Sequence, residues 1–125
     1  MSQAADDSRE TAQLIPLAEA RNARLSIPVT FNRQELDQIL RIYSRMVAAN
    51  EWRDYAIDHL KDQAVFSVFR RTSEVPLFRI VKNPALARKQ GAYSVVAASG
   101  LILKRGHELA TALKAFDKTL KLVEA

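Results

Sequence analysis

Two segments with helical periodicity bracket a succession of short extended ones, and this order limits what the chain can fold into more than any single motif does. The first, "FNRQELDQILRIYSRMVAAN", places Leu36, Ile39, Leu40, Tyr43, Met46 and Val47 at steps of three and four, which gathers them on one stripe. Asn32 stands where an N-cap is needed, Glu35 three residues later completes a capping-box pair, and Phe31 and Leu36 occupy the staple positions. Asn50, a residue that tolerates left-handed backbone, predicts the stop. The last segment, "HELATALKAFDKTLKLV", carries Leu109, Ala112, Leu113, Phe116 and Leu120 at helical spacing with Glu108 in its first turn, and predicts a second amphipathic helix.

Between them the period changes. "DYAIDHL" alternates, "KD" offers a turn, and "QAVFSVFRR" is rich in Val and Phe, so the pair reads as a hairpin. A helix over residues 52–60 competes, because Trp52, Tyr55, Ala56 and Leu60 also fit helical steps. "TSEVP" is a second turn and "PLFRIVK" a third strand, with Pro76 at its start or on an edge. After "NPALARKQG" come "AYSVVAA" and "LILKRG", joined through Gly100 as a further hairpin. The expectation is an α+β domain: an antiparallel sheet of about five strands with an N-terminal and a C-terminal helix packed on it, in the order α-β-β-β-β-β-α. Residues 1–26, where Pro16 interrupts the apolar patch "LIPLA", read as a flexible leader, and residues 27–125 as one domain.

At 125 residues the chain is long enough for one domain with a real core and too short for two of ordinary size. It has no cysteine, which excludes thiol chemistry, disulfides and thiolate metal sites. Its start lacks a basic region followed by an apolar core, and its longest apolar run falls far below the roughly 20 residues of a membrane-spanning helix, so a cytoplasmic location without a membrane is expected.

Charge is unevenly spread. The formal net charge is +5, yet residues 70–105 alone hold eight cations against Glu74, a net of +7. Arg88 and Lys89 lie in the loop between two strands, and Lys104, Arg105 and His107 stand just before the last helix, where free backbone N–H groups favour an anion. If the sheet brings these together, with Arg70 or Arg71, they form one anion- or nucleic-acid-binding patch; the plainer alternative is a solvated Lys-Arg pair at a strand end. Stacking on bases would need exposed aromatics, whereas Phe66, Phe69 and Phe78 sit in apolar strands and read as core. The order of elements is superficially similar to a double-stranded-RNA-binding domain, but the added hairpin breaks that topology.

For catalysis the inventory is thin. His59 and His107 are far apart in sequence, no HExxH, CxxC or GxSxG is present, and neither nucleotide-binding glycine pattern occurs. Asp58 and His59 are adjacent, which on a strand sends them to opposite faces. No catalytic residue, metal or cofactor is therefore assigned. Trp52 reads as a core anchor, with an exposed interface anchor as the alternative.

The stretches "EWRDYAIDHLKDQAVFSVFRR" and "GAYSVVAASGLILKRGHEL", in that order, resemble a family of small alphaproteobacterial proteins known as domain of unknown function 2794, over about residues 27–123. The resemblance implies a cytoplasmic bacterial protein and brings no activity, cofactor or site residue with it. The function expected from the residues is a non-enzymatic binding module whose basic surface meets nucleic acid or an acidic protein. The alternative is a homodimer associating through an uncovered sheet face or edge, because Val65, Phe66, Val68 and Phe69, like Leu77, Phe78, Ile80 and Val81, are apolar on both alternations.

Overall fold

The computed structural model of the chain describes residues 27–71 and 75–124. The leader, residues 1–26, and residues 72–74 of the second turn lie outside the described residues.

Helix α1 (Arg33–Ala48) starts as its sequence dictates. The Glu35 backbone N–H donates to the Asn32 side chain, and the Asn32 N–H donates back to the Glu35 carboxylate, each at 2.8 Å, so two otherwise unpaired donors are satisfied at once. At the other end Asn50 adopts a φ of 63°, which turns the chain toward Trp52. Ile39 and Met46 are buried along the stripe, while Val47, expected on it, is exposed.

Five strands follow: β1 (Asp54–His59), β2 (Ala64–Phe69), β3 (Phe78–Lys82), β4 (Tyr93–Ala97) and β5 (Ile102–Gly106). They form one antiparallel sheet in strictly sequential order. Residues 54–59 are thus strand rather than helix, and Trp52 just ahead of them is only 2% exposed, a core anchor. Alternation sends Ala64, Phe66, Val68, Ile80 and Val95 to one face, where they meet α1 and the C-terminal helices and become inaccessible to solvent. Burying each of the larger ones contributes about 1.5–3 kcal/mol. Aromatic rings tie this layer together: Trp52 and Phe78 each meet Phe116 edge-on, with centroids 5.1 and 5.3 Å apart, and Tyr55 stacks on Phe66.

The C-terminal segment is not the single helix its periodicity predicts. It divides into α2 (Leu109–Leu113), a 3-10 turn (Lys114–Phe116) and α3 (Asp117–Glu124). The tighter turn keeps the three-residue step from Leu113 to Phe116 on the core side, so Leu109, Ala112, Leu113, Phe116 and Leu120 are all buried despite the break. Glu108 is the N-cap of α2 rather than a first-turn residue, and its side chain makes no capping bond.

Candidate binding surface

Both α1 and the C-terminal helices lie on one side of the sheet, and among the described residues no element covers the other. The strand register lays out that open face in rows. One row runs Asp58, Val65, Val81, Ser94, Arg105 from β1 to β5; the next runs Ala56, Ser67, Arg79, Val96, Ile102. A bulge opposite Val95 and Val96 leaves Leu103 without a counterpart, and this keeps both Ile102 and Arg105 on the open side. The face is concave. It encloses a hollow of about 680 Å³ whose rim includes Leu60, Phe69, Pro76, Asn83 and Leu86. Val65, Ser67 and Ser94 form a floor nearly closed to solvent by its longer neighbours.

The loop at residues 83–91 makes one wall of this hollow, and it is a defined structure. Asn83 accepts from the Ala85 N–H and donates its own N–H to Ala92 O; Leu86 O accepts from Lys89, Gln90 and Gly91. Gly91, at φ 99°, lies so close to the end of β5 that an added Cβ would stand 2.4 Å from the Gly106 carbonyl. A ring nitrogen of His107, Nδ1, is 3.0 Å from Ala87 O. The loop and the residues just ahead of α2 are therefore brought together at His107.

The cations expected to share one patch are distributed by strand alternation and by position. Arg88 and Lys89 are exposed on the loop beside His107. Lys104 pairs with Val95 and Arg105 with Ser94, so the two neighbours point to opposite faces, and only Arg105 enters the hollow. They lie within β5 rather than in front of a helix, and the cap position of α2 is taken by acidic Glu108. Arg70 and Arg71 follow the far end of β2, at the opposite end of the sheet from the loop, in a hollow with Asn50 and Arg53. Arg70 forms an exposed ion pair with Glu51 at 3.4 Å. Lys82 is drawn inward to Glu35.

The residue that sequence reasoning passed over is Arg79. It sits near the middle of the open face between Ser67 and Val96, half-buried, and among the described residues neither it nor Arg105 has a carboxylate partner. Its signal was the alternation of "PLFRIVK", in which Arg79 and Val81 share a side opposite to Phe78 and Ile80. Phe69, expected in the core, is on the open side at the rim.

Toward the chemistry of catalysis the arrangement offers little. Asp58 faces the hollow and His59 the other side of β1, as the strand geometry predicts. Among the described residues no cluster of His, Asp or Glu has the geometry to hold a metal ion, and no helix is long and apolar enough to cross a membrane.

Residues 29–113 match the family model described as "Protein of unknown function (DUF2794)". No curated protein matches the chain, and no solved structure matches it.

Proposed function

The chain belongs to the DUF2794 family, and from its geometry we propose that it is a non-enzymatic binding module whose open sheet face takes an acidic, partly apolar segment of another protein. The observation that carries this reading is the placement of Arg79 and Arg105, two half-buried guanidinium groups set among Val65, Val81, Val96 and Ile102 on a face that no described element covers. A half-buried cation amid apolar neighbours favours a ligand that supplies both a carboxylate and apolar contact.

Nucleic acid fits this face less well. Phe69 is the one aromatic on the hollow's lining, at its rim, which leaves no stacking platform, and the cations do not follow one backbone track. A second copy of the chain is the other occupant to be weighed: a two-fold axis parallel to the strands through β3 would set Arg79 against Arg79 but Asp58 against Arg105 twice, while one running across the strands along that row would set Arg105 against Arg105 and Asp58 against Asp58.

The test is a methyl-labelled titration with a synthetic leucine- and glutamate-bearing amphipathic peptide, and in parallel with a single-stranded RNA oligomer. The peptide is expected to shift the methyl signals of Val65, Val81, Val96 and Ile102, and Arg79→Glu with Arg105→Glu to weaken binding by at least about tenfold. RNA that instead shifts signals around Arg88 and Lys89, with a steep salt dependence, would replace the reading with nucleic-acid binding. Absence of any response to either ligand would overturn it.

A further inference from the structure

We infer that the partner segment is held by its backbone as well as its side chains: it adds to the free edge of β5 as an antiparallel sixth strand, with an acidic residue beside Arg105 and an apolar residue two positions later beside Ile102. This rests on the binding role proposed above and deepens it, giving the segment a conformation, a direction and a spacing.

Hydrogen bonds at the two ends of β4 fix which way each amide points. The Asn83 N–H donates to Ala92 O at 2.7 Å, so alternation turns the backbone groups of Ala92, Ser94 and Val96 toward β3. The Ala97 N–H donates to Leu101 O at 2.8 Å, so Ala97, Val95 and Tyr93 turn theirs toward β5. Ile102 and Arg105 are the register partners of Val96 and Ser94, and their N–H and C=O groups therefore point away from β4, to the outer edge. The bulge at Leu103 does not close that edge, because it lies between the two outward residues and leaves both outward. Val96 and Ser94 span from Ile102 to Arg105 in two positions, and a regular strand on the other side spans them in two as well.

The chemistry of the edge selects what can pair there. Among the described residues no strand lies beyond β5, and Leu101, Ile102 and Leu103 are exposed. Ile102 and Arg105 also line the hollow, so the side chains of a strand paired with them extend the open face. Residues 99–107 hold Lys104 and Arg105 and no carboxylate, which admits an acidic strand and repels a like one.

The opposite edge lacks these properties. The Leu60 N–H donates to Gln63 O at 2.8 Å, so Leu60, Asp58 and Ala56 face β2, and Tyr55, Ile57 and His59 face outward. The Tyr55 N–H is already taken by the Asp54 carboxylate at 2.8 Å. A second copy cannot offer its β1 to β5 in the required form either. Asp58 and Leu60 have the right order and spacing, but their amides face β2, and the outward residues of β1 include no carboxylate.

The experiment titrates the full chain with a short synthetic peptide carrying a central Glu-Thr-Val run in a Ser and Thr background. Strand addition predicts slowed amide exchange at Ile102 and Arg105 and a shifted Ile102 methyl signal. N-methylation of the peptide's Glu or Val should weaken binding by at least about tenfold, and N-methylation of the Thr between them, whose amide points away from β5, should leave it unchanged. Reversing the run to Val-Thr-Glu should weaken binding similarly. Binding that is indifferent to which amide is methylated overturns the inference. So do Ile102 and Arg105 amides that are already protected in the free chain and lose protection on dilution, which would put a second copy on the edge. If the extended peptide fails while the leucine- and glutamate-bearing one still shifts the Val65 and Val81 methyl signals, strand addition falls and the binding face stands. The reverse result, with the methylation pattern intact, upholds strand addition and removes the face reading; silence toward both peptides removes both.

Discussion

The Lys82 ammonium donates at 2.8 Å to the Glu35 carboxylate that caps α1, joining residues 47 positions apart in the chain. The Tyr93 hydroxyl donates to the other carboxylate oxygen, and Lys82 also reaches Thr30 O at 2.9 Å. One side chain, 7% exposed, thereby fixes the start of the first helix to β3 and β4.

Replacing Glu35 leaves the half-buried Lys82 ammonium with Thr30 O but no carboxylate, and takes the acceptor from the half-buried Tyr93 hydroxyl. Glu35→Ala is expected to cost about 3 kcal/mol, and Glu35→Gln less because its amide oxygen still accepts from the Asn32 N–H. Urea unfolding midpoints at constant slope measure both. A cost for Glu35→Ala no larger than an ordinary exposed cap would show that the network adds nothing to the helix start.

The same network sets two limits in pH. Burial pushes the Glu35 carboxyl up, but the hydrogen bonds from Lys82, Tyr93 and the Asn32 backbone outweigh it and hold the group below its ordinary value. Its contribution is therefore present above the unfolded carboxylate range and is lost as pH falls through the lowered folded value. Burial, with the hydrogen bond to Glu35 and its charge, pushes the Tyr93 hydroxyl up to about 12. The folded state keeps that proton while the unfolded one releases it, so stability present below the ordinary tyrosine value of 10.0 declines as pH rises toward about 12. Tyr93→Phe should flatten the alkaline decline and, by removing one of the hydrogen bonds that hold the Glu35 carboxyl low, move the acid loss of stability to higher pH; an unchanged profile would detach Tyr93 from both.

Two glycines with similar backbones should respond differently to alanine. Gly91 and Gly100 both have positive φ, 99° and 92°, but a Cβ at Gly91 meets the Gly106 backbone whereas one at Gly100 meets nothing within 4 Å. Gly100→Ala is expected to cost about 1 kcal/mol from conformation alone. Gly91→Ala should cost about 3 kcal/mol or more, since backbone must move. Thermal unfolding of the two variants side by side decides it, equal shifts being the contrary result.

Neighbours on β3 test whether the sheet is covered on one side only. Ile80 is fully buried under the helices, and Val81 faces the hollow half-buried. Ile80→Ala should cost about 3 kcal/mol, with a cavity left behind, and Val81→Ala about 1 kcal/mol, because solvent already stands over it. Comparable losses would mean that Val81 is packed as tightly as Ile80.

How much of this was legible in the sequence depends on the range of the interaction. The capping box at Asn32 and Glu35, the left-handed Asn50 and the turn at Gly100 are local, and local chemistry declared them. Element order was equally readable, since turn signals separate the strands. The break between α2 and α3 was not, because a 3-10 turn preserves the three-residue step that periodicity detects. The cation count misled for a geometric reason: consecutive residues of a strand diverge, so Lys104 and Arg105 part company, Lys82 turns inward, and Arg79 emerges on a face that a sum over sequence does not see. Glu35 was recognised as a cap, yet its bonds to Lys82 and Tyr93 needed the register of β3 and β4.

The sequential order of the strands also governs how quickly the sheet can assemble. Every strand hydrogen-bonds only to its neighbours along the chain, so the sheet can zip up one hairpin at a time, each closing a short loop before the next begins. Contacts between distant parts of the chain, such as Lys82 with Glu35 and Trp52 with Phe116, must wait for the outer helices to arrive. Truncating those side chains should accelerate unfolding far more than it slows folding, the kinetic signature of interactions made after the rate-limiting step.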